Sequence, residues 1–535
     1  MNRRPWLRVI LACALLGTGA LCLRLPGPFA FNSSSFTIQA GGCTVPLTYV
    51  KAKRGAAVSA VVFHGLGGNR GVMRALGHSL AGSDVEVYLV DFPGHGDSSE
   101  PFTFGRAEEC AAAVVGTLAQ QGKIKLERTL LVGHSFGGAV AVRLADRFPT
   151  AATVAISPAP MVLPRRMPVN LLVFSAQYDL PQLRQTAAEL LRAAGGVRDT
   201  DEDVRQKRGV RYVVVPRAQH ASLLLDRIVW GEIDGWWRRA VPTALSNHSY
   251  AFTTVVLGTA LGAAGLMMLF PLAASGVAAA FRARGSEMQG ERRGARRVLV
   301  EWAVTGMFAA GVLKFWVPLG ALGIYNGDYL ASFLLVAGIV LAVMRRQRAW
   351  QALPIRVVEG RRWRHWRAVG TAAVLGLATA MAFGGWLNWE LTDAWPIAAR
   401  WWRFAALVFV FVPYLWAEER ALGAPEEKER GPAKAGPYTG PGTGPDAGRA
   451  GTGWRRWGMF LAMRGMLWLA MMFGLFVLDS GAVLMLLFVL YMLTISVLQR
   501  MGSDAVRKRT GSALAATVFG AIVAAWFVAS VFPIT

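Results

Sequence analysis

Beyond Tyr250 the chain is dominated by apolar stretches near 251–280, 298–318, 329–344, 368–387, 402–416, 457–478, 482–499 and 512–532. Most are about as long as a bilayer is thick. No other feature constrains the fold as much. In hydrocarbon every backbone N–H and C=O must be satisfied within its own segment, so these stretches have to be helices. The stretch 251–280 contains Pro271, but its two parts are too short to span separately, so eight helices are expected. A composition of 54% hydrophobic and 17% charged residues with 19 Trp agrees with much embedded material.

The formal charge of +24 would point to nucleic acid in a soluble protein. Here the Arg residues fall in runs between apolar segments, such as "RARGSEMQGERRGARR" (282–297) and "RRQRAWQALPIRVVEGRRWRHWR" (345–367), which excludes nucleic acid as the expected partner and favours membrane lipids. Loops 282–297, 345–367, 419–456 and 500–510 are basic, whereas "LGIYNGDY", "NWELTDAWPIAAR" and "LDSG" carry acids, so the basic set faces the cytoplasm. Arg3, Arg4 and Arg8 precede an apolar run from Val9 to Leu23, which reads as a signal anchor or as a cleaved signal peptide with Thr18 and Ala20 before the cut. The anchor is favoured, because Pro, Phe and Leu beyond Arg24 extend the apolar character. Counting spans from either end places the region between the anchor and Tyr250 outside the cytoplasm. The expected location is therefore a bacterial inner membrane, with this region on the periplasmic or extracellular side. Expected boundaries are an anchor at 1–30, a folded domain at 36–245, transmembrane helices at 250–418, a Pro/Gly-rich cytoplasmic linker at 419–456 and further transmembrane helices at 457–535. Glu301, Lys314 and Arg464 lie toward span ends and are expected to snorkel.

Between about Pro46 and Ala240 short apolar runs alternate with helical ones. "VSAVVFHG", "VEVYLVDF", "TLLVGHS", "TVAIS" and "LLVFSAQYD" read as parallel strands buried on both faces, which predicts a doubly wound α/β sheet. Within it, "RTLLVGHS" runs as a strand directly into a helix "FGGAVAVRLADRF". A Ser at such a turn sits in a strained conformation, and Gly133 and Gly137 are needed because side chains there would clash. Ser135 is thus the candidate nucleophile. A serine hydroxyl needs a base to take its proton, and His220 past a late strand supplies one. Asp179, at the end of "LLVFSAQYD", would orient the imidazole, with Asp201, Glu202 and Asp203 as rivals. An oxyanion hole needs two backbone N–H groups. Phe136, after the nucleophile, offers one, and Leu66 in "VVFHGLGGN" the other. His64, His95 and His134 are read as structural, and Asp91 and Asp97 as supports of the "PGHG" loop. Cys43 and Cys110 either form a disulfide or remain a reduced apolar pair.

These landmarks ("HGLGGN", "DFPGHGDS", "GHSFGG", "AQYD" and the late His) resemble, in order, those of the α/β-hydrolases, particularly the monoacylglycerol-lipase and lysophospholipase branch. The resemblance covers residues 40–240. It implies a Ser135–Asp179–His220 triad, an acyl-enzyme, and no metal or cofactor. Many relatives carry a helical lid where this chain has only "PAPMVLPRRMPVN" (158–170), so an open site is expected. The expected activity is hydrolysis of a small-molecule or lipid ester, including thioesters. An acyltransferase using the same triad, and a transporter or membrane scaffold with a ligand-binding hydrolase-like domain, are the alternatives. No oligomeric state follows from the sequence.

Overall fold

The computed structural model describes residues 5–24, 32–52, 58–242, 252–280, 294–315, 320–349, 360–389, 391–422, 447–475 and 486–535. After the N-terminal helix α1 (Pro5–Arg24), the first half contains β1 (Ser33–Ala40), β2 (Cys43–Val50), β3 (Val58–Phe63), α2 (Arg74–Gly82), β4 (Val85–Val90), α3 (Phe104–Gln120) and β5 (Thr129–His134). There follow α4 (Phe136–Arg143), β6 (Ala152–Ile156), β7 (Leu171–Ala176), α5 (Pro181–Ala193), α6 (Asp201–Arg205), β8 (Val210–Val215) and α7 (Arg227–Ala240).

The eight strands form one sheet in the order β1-β2-β4-β3-β5-β6-β7-β8. β2 pairs antiparallel with β1 and β4, and every pairing from β4 across to β8 is parallel. Every residue of β3, β5, β6 and β7 is buried, because helices cover both faces. Val62, Val132 and Phe174 meet Trp236 and Trp237 of α7 on one face, while Val61, Phe63 and Leu131 meet Val114 and Leu118 of α3 on the other. The sequence reading found the five central strands but not the β1–β2 hairpin. Its signal was the Gly41-Gly42 pair, whose φ values of 56° and 73° suit a two-residue turn. The chain reverses its winding direction at β3, which opens a crevice at the carboxyl ends of β3 and β5.

The second half is helical: α8 (Phe252–Ala280), α9 (Ala295–Phe315), α10 (Gly327–Ala349), α11 (Gly360–Leu387), α12 (Ala398–Leu422), α13 (Ala447–Phe473), α14 (Leu486–Thr510) and α15 (Ala513–Val531). Among the described residues seven helices (α1, α8 to α12 and α15) are long and apolar enough to cross a membrane. α14 continues through 500–510, which the charge pattern marks as a loop; within it Arg500 and Arg507 are buried and paired with Glu419. Helix α13 likewise begins inside the span expected to be linker, and most of that linker lies outside the described residues.

Arg464 does not snorkel. Its guanidinium is buried and bidentate on Glu418, at 2.6 and 2.9 Å, with Gln499 accepting a third bond at 2.8 Å. Glu419 beside it pairs with Arg500 at 2.6 Å and Arg507 at 3.0 Å. A charge that finds partners on neighbouring helices has no need to reach the interface. Helix α1 packs on α8 through small residues: a Cβ on Gly19 would lie 2.8 Å from the Gly258 carbonyl oxygen, and one on Gly258 2.9 Å from that of Gly19.

Candidate active site

Four neighbouring strands deliver the site at their carboxyl ends. The chain leaves β5 at Ser135 with φ 55° and ψ −118°, a strained conformation for a side-chain-bearing residue, and enters α4 at once. The turn is closed enough that a Cβ on Gly133 would come within 2.0 Å of the Gly137 carbonyl oxygen, and one on Gly137 within 2.5 Å of those of Phe63 and His64. Both elbow glycines are therefore required on steric grounds.

Asp179 follows β7 and His220 follows β8. His220 Nδ1 lies 3.0 Å from Asp179 Oδ1. Burial pushes the Asp179 carboxyl up, but the hydrogen bond and charge of His220 and the Ser157 hydroxyl outweigh it, so it titrates below the usual carboxylate range. Nε2 of His220 is buried without a hydrogen-bond partner in the chain. Ser135 Oγ makes no hydrogen bond to it among the described residues.

Ser157 is the residue the sequence reading overlooked. It ends β6, between the strands that deliver Ser135 and Asp179, and its hydroxyl donates to Asp179 Oδ2 at 2.5 Å while lying 2.9 Å from His220 Nδ1. It therefore sits on the acid side of the imidazole. The available signal was the strand order, since a polar residue ending the intervening strand falls among the flanking functional groups. The rival acids stand elsewhere. Asp203 caps α6 through Thr200, Glu202 pairs with Arg205 at 2.9 Å, and Asp201 pairs with Arg239 at 2.8 Å.

The other landmark histidines are structural. His134 is pushed down to about 3 and His64 to about 4, both chiefly by burial, and burial holds His95 well below its usual value. All stay neutral and serve as hydrogen-bonding wedges: His64 Nε2 accepts from the Phe92 N–H at 3.1 Å, and His95 Nε2 from the Gly67 N–H at 3.3 Å. Asp91 accepts from the Arg70 N–H at 2.7 Å and the Asp97 N–H at 3.0 Å and pairs with the Arg70 guanidinium at 2.5 Å. Loops 64–70 and 91–98 are thereby tied together.

Leu66 and Phe136 line a cavity of about 690 Å³ beside the elbow, with Phe104, Met161, Val162 and Leu183 supplying further apolar wall. Among the described residues neither the Leu66 nor the Phe136 N–H finds an acceptor in the chain. The segment 158–170 is irregular and forms part of the wall rather than a helical lid. Cys43 and Cys110 are joined in a disulfide that ties β2 to α3.

Residues 60–260 match the sequence profile of the alpha/beta hydrolase family. A pimeloyl-[acyl-carrier protein] methyl ester esterase of Shewanella woodyi is 28% identical over 226 residues, 37% of this chain and 84% of that protein. A 1-acylglycerol-3-phosphate O-acyltransferase of Rattus norvegicus is 31% identical over 107 residues, 20% of this chain and 30% of that protein. The solved structure of a lidless α/β serine hydrolase from Xanthomonas campestris is 18% identical and covers 41% of this chain and 97% of its own, with a TM-score of 0.31.

Proposed function

We propose that this chain, whose residues 60–260 belong to the α/β-hydrolase family, is a membrane-anchored serine hydrolase that cleaves carboxylic esters outside the cytoplasm. The observation that carries the reading is the state of His220. Its Nδ1 is bound to Asp179 and its Nε2 is left unpartnered, while Ser135 is held in a strained elbow after β5.

In the proposed cycle Nε2 takes the Ser135 Oγ proton as Oγ bonds to the ester carbonyl carbon. The carbonyl oxygen becomes an oxyanion facing the Leu66 and Phe136 N–H groups, worth about 3–4 kcal/mol each where such donors have been removed. As the tetrahedral species collapses, the C–O bond to the alcohol breaks and the leaving oxygen takes the proton from Nε2. Water then repeats the sequence on the acyl-enzyme, releasing the acid and restoring Ser135. Asp179 stabilises the transient imidazolium without itself becoming protonated.

The location outside the cytoplasm is supported by the Cys43–Cys110 disulfide, which suits an oxidising compartment, and by the basic loops on the opposite side. The packing of α1 on α8 favours a retained anchor over a cleaved signal peptide. A second reading, transfer of the acyl group to an alcohol instead of water, uses the same acyl-enzyme and draws on the relative named as an acyltransferase. The test is hydrolysis of a short p-nitrophenyl ester by the purified full chain. Ser135→Ala and His220→Ala are each expected to lower kcat at least about 10⁴-fold, and a Ser135→Ala protein with ordinary turnover would refute the assignment. Adding an alcohol separates the two fates: ester product in place of acid supports transfer.

A further inference from the structure

A hydrolase merely tethered by a membrane anchor would meet its anchor through linkers and surface patches. Here the helical half instead grips the loop that carries Leu66. Asn69, three residues on, is 2% exposed. Its carboxamide Nδ2 donates to the Asp393 carbonyl at 2.8 Å, and its Oδ1 accepts from the Asp393 N–H at 3.1 Å and from the Gly71 N–H at 3.0 Å. Both ends of one side chain are thus matched to the backbone of one residue in the α11–α12 loop. Arg74 adds an ion pair to Asp393 Oδ1 at 2.6 Å, a bond to the Trp389 carbonyl at 3.3 Å, and one to the Asn388 carbonyl. The approach is close: a Cβ on Gly71 would lie 2.5 Å from the Asp393 nitrogen.

From Asn69 the restraint reaches the site through few atoms. The Gly68 N–H donates to the Gly65 carbonyl at 3.0 Å, closing a turn around Leu66, and Gly65 lies so close to the elbow that a Cβ would be 3.0 Å from the Ser135 Cβ. The partner loop 91–98 is held from the same half. The Ile534 N–H donates to the Gly94 carbonyl at 2.9 Å, Arg400 donates to that same oxygen at 2.5 Å, and the Phe102 N–H donates to the Ile534 carbonyl at 2.7 Å. Arg400 is in turn fixed by the Ala529 and Phe532 carbonyls at 2.8 and 2.7 Å.

We propose that Asp393 and its loop are positioning elements for the oxyanion loop, so that full turnover depends on the helical half even for an ester small enough to diffuse freely. The inference rests on the Ser135 acyl-enzyme reading. Asp393 does not touch the substrate. It acts by fixing Asn69 and, through the turn at Gly65–Gly68, the place of the Leu66 N–H. The separation is short enough for a shift of the loop to move that donor, and displacements of about 1 Å at a reacting centre cost roughly 10²-fold in rate.

The experiment uses the full chain in nanodiscs, comparing wild type with Asn69→Ala, Asp393→Ala and Gly71→Val on p-nitrophenyl acetate. Active sites are counted by fluorophosphonate titration, so that unfolded molecules do not enter kcat. For Asn69→Ala and Gly71→Val, kcat per titrated site is expected to fall about tenfold to a hundredfold while KM stays within about threefold, since the donor acts on the developing oxyanion. The rate of fluorophosphonate labelling falls in step. Asp393→Ala, which removes only the carboxylate paired with Arg74 and keeps both backbone bonds to Asn69, is expected to lose less than Asn69→Ala. Wild-type kcat per site in both Asn69→Ala and Gly71→Val would overturn the proposal while leaving the hydrolase reading intact. Labelling that does not depend on Ser135 would instead overturn that reading, and this inference with it.

Discussion

Replacing Ser157 by Ala separates the roles of Ser157, which touches His220, and Ser135. In the structure Ser157 donates to Asp179 Oδ2 at 2.5 Å, and that oxygen's other contact is the longer Ala176 N–H at 3.3 Å. Removing the hydroxyl takes the better donor from a buried carboxylate. A hydrogen bond to a charged group contributes about 1.5–3 kcal/mol. If it is lost mainly when the imidazolium forms, kcat falls roughly tenfold to a hundredfold. The substitution also raises the Asp179 carboxyl toward its ordinary range. A depressed carboxyl contributes stability that is present above the unfolded-state value and lost as pH falls, so the variant is expected to lose less stability than wild type on acidification. The assay is steady-state turnover of a p-nitrophenyl ester alongside fluorophosphonate labelling of wild type, Ser157→Ala and Ser135→Ala. Ser157→Ala retains labelling and reduced turnover, and Ser135→Ala loses both. A Ser157→Ala protein that cannot be labelled, beside a Ser135→Ala protein that can, would reverse the roles of the two serines.

Other outcomes follow from the same geometry. Removing both cysteines of the Cys43–Cys110 bridge, which closes a separation of 67 residues, is expected to cost about 4 kcal/mol by loop entropy, read as a lower Tm in a non-reducing buffer. An unchanged Tm would contradict it. Arg464→Leu leaves Glu418 buried and uncompensated and is expected to destabilise the chain by about 3–5 kcal/mol, whereas Glu418→Gln with Arg464→Met recovers most of the loss. Burial, against the Arg70 charge, pushes Asp91 up to about 6. The unfolded carboxyl loses its proton near pH 4 while the folded one keeps it until about pH 6. Wild type is therefore expected to lose up to about 3 kcal/mol relative to Asp91→Asn between those pH values, and a flat difference would refute this. Mass spectrometry of the mature chain is expected to find peptides from the α1 segment, and their absence would indicate cleavage.

The strained turn at Ser135 was legible because its constraints are local. A strand, a glycine on each side of the serine and an immediate helix are all adjacent in sequence, and the close approaches at Gly133 and Gly137 are the physical content of that pattern. Asp179 and His220 were legible by order, since each ends a parallel strand. Ser157 was not, because its role depends on β6 lying between β5 and β7, and neighbours in a sheet are not neighbours in sequence. Hydropathy located each helix but not every end, since α13 starts at Ala447 and α14 runs to Thr510, and it could not anticipate their charges: Arg464 meets Glu418 across 46 positions, and no local pattern announces that pair. The grip of Asp393 on Asn69 spans 324 positions and is written in a backbone edge, which has no signature in residue type.

The most direct test of the account is to treat membranes containing the full chain with a fluorophosphonate, digest them, and map the adduct by mass spectrometry. A single adduct on Ser135, formed when the reagent is kept outside sealed cells and absent from the His220→Ala protein, is the expected result. An adduct on Ser157, or one on Ser135 that forms equally fast without His220, would contradict the proposed chemistry, and labelling only after the cells are opened would contradict the proposed side of the membrane.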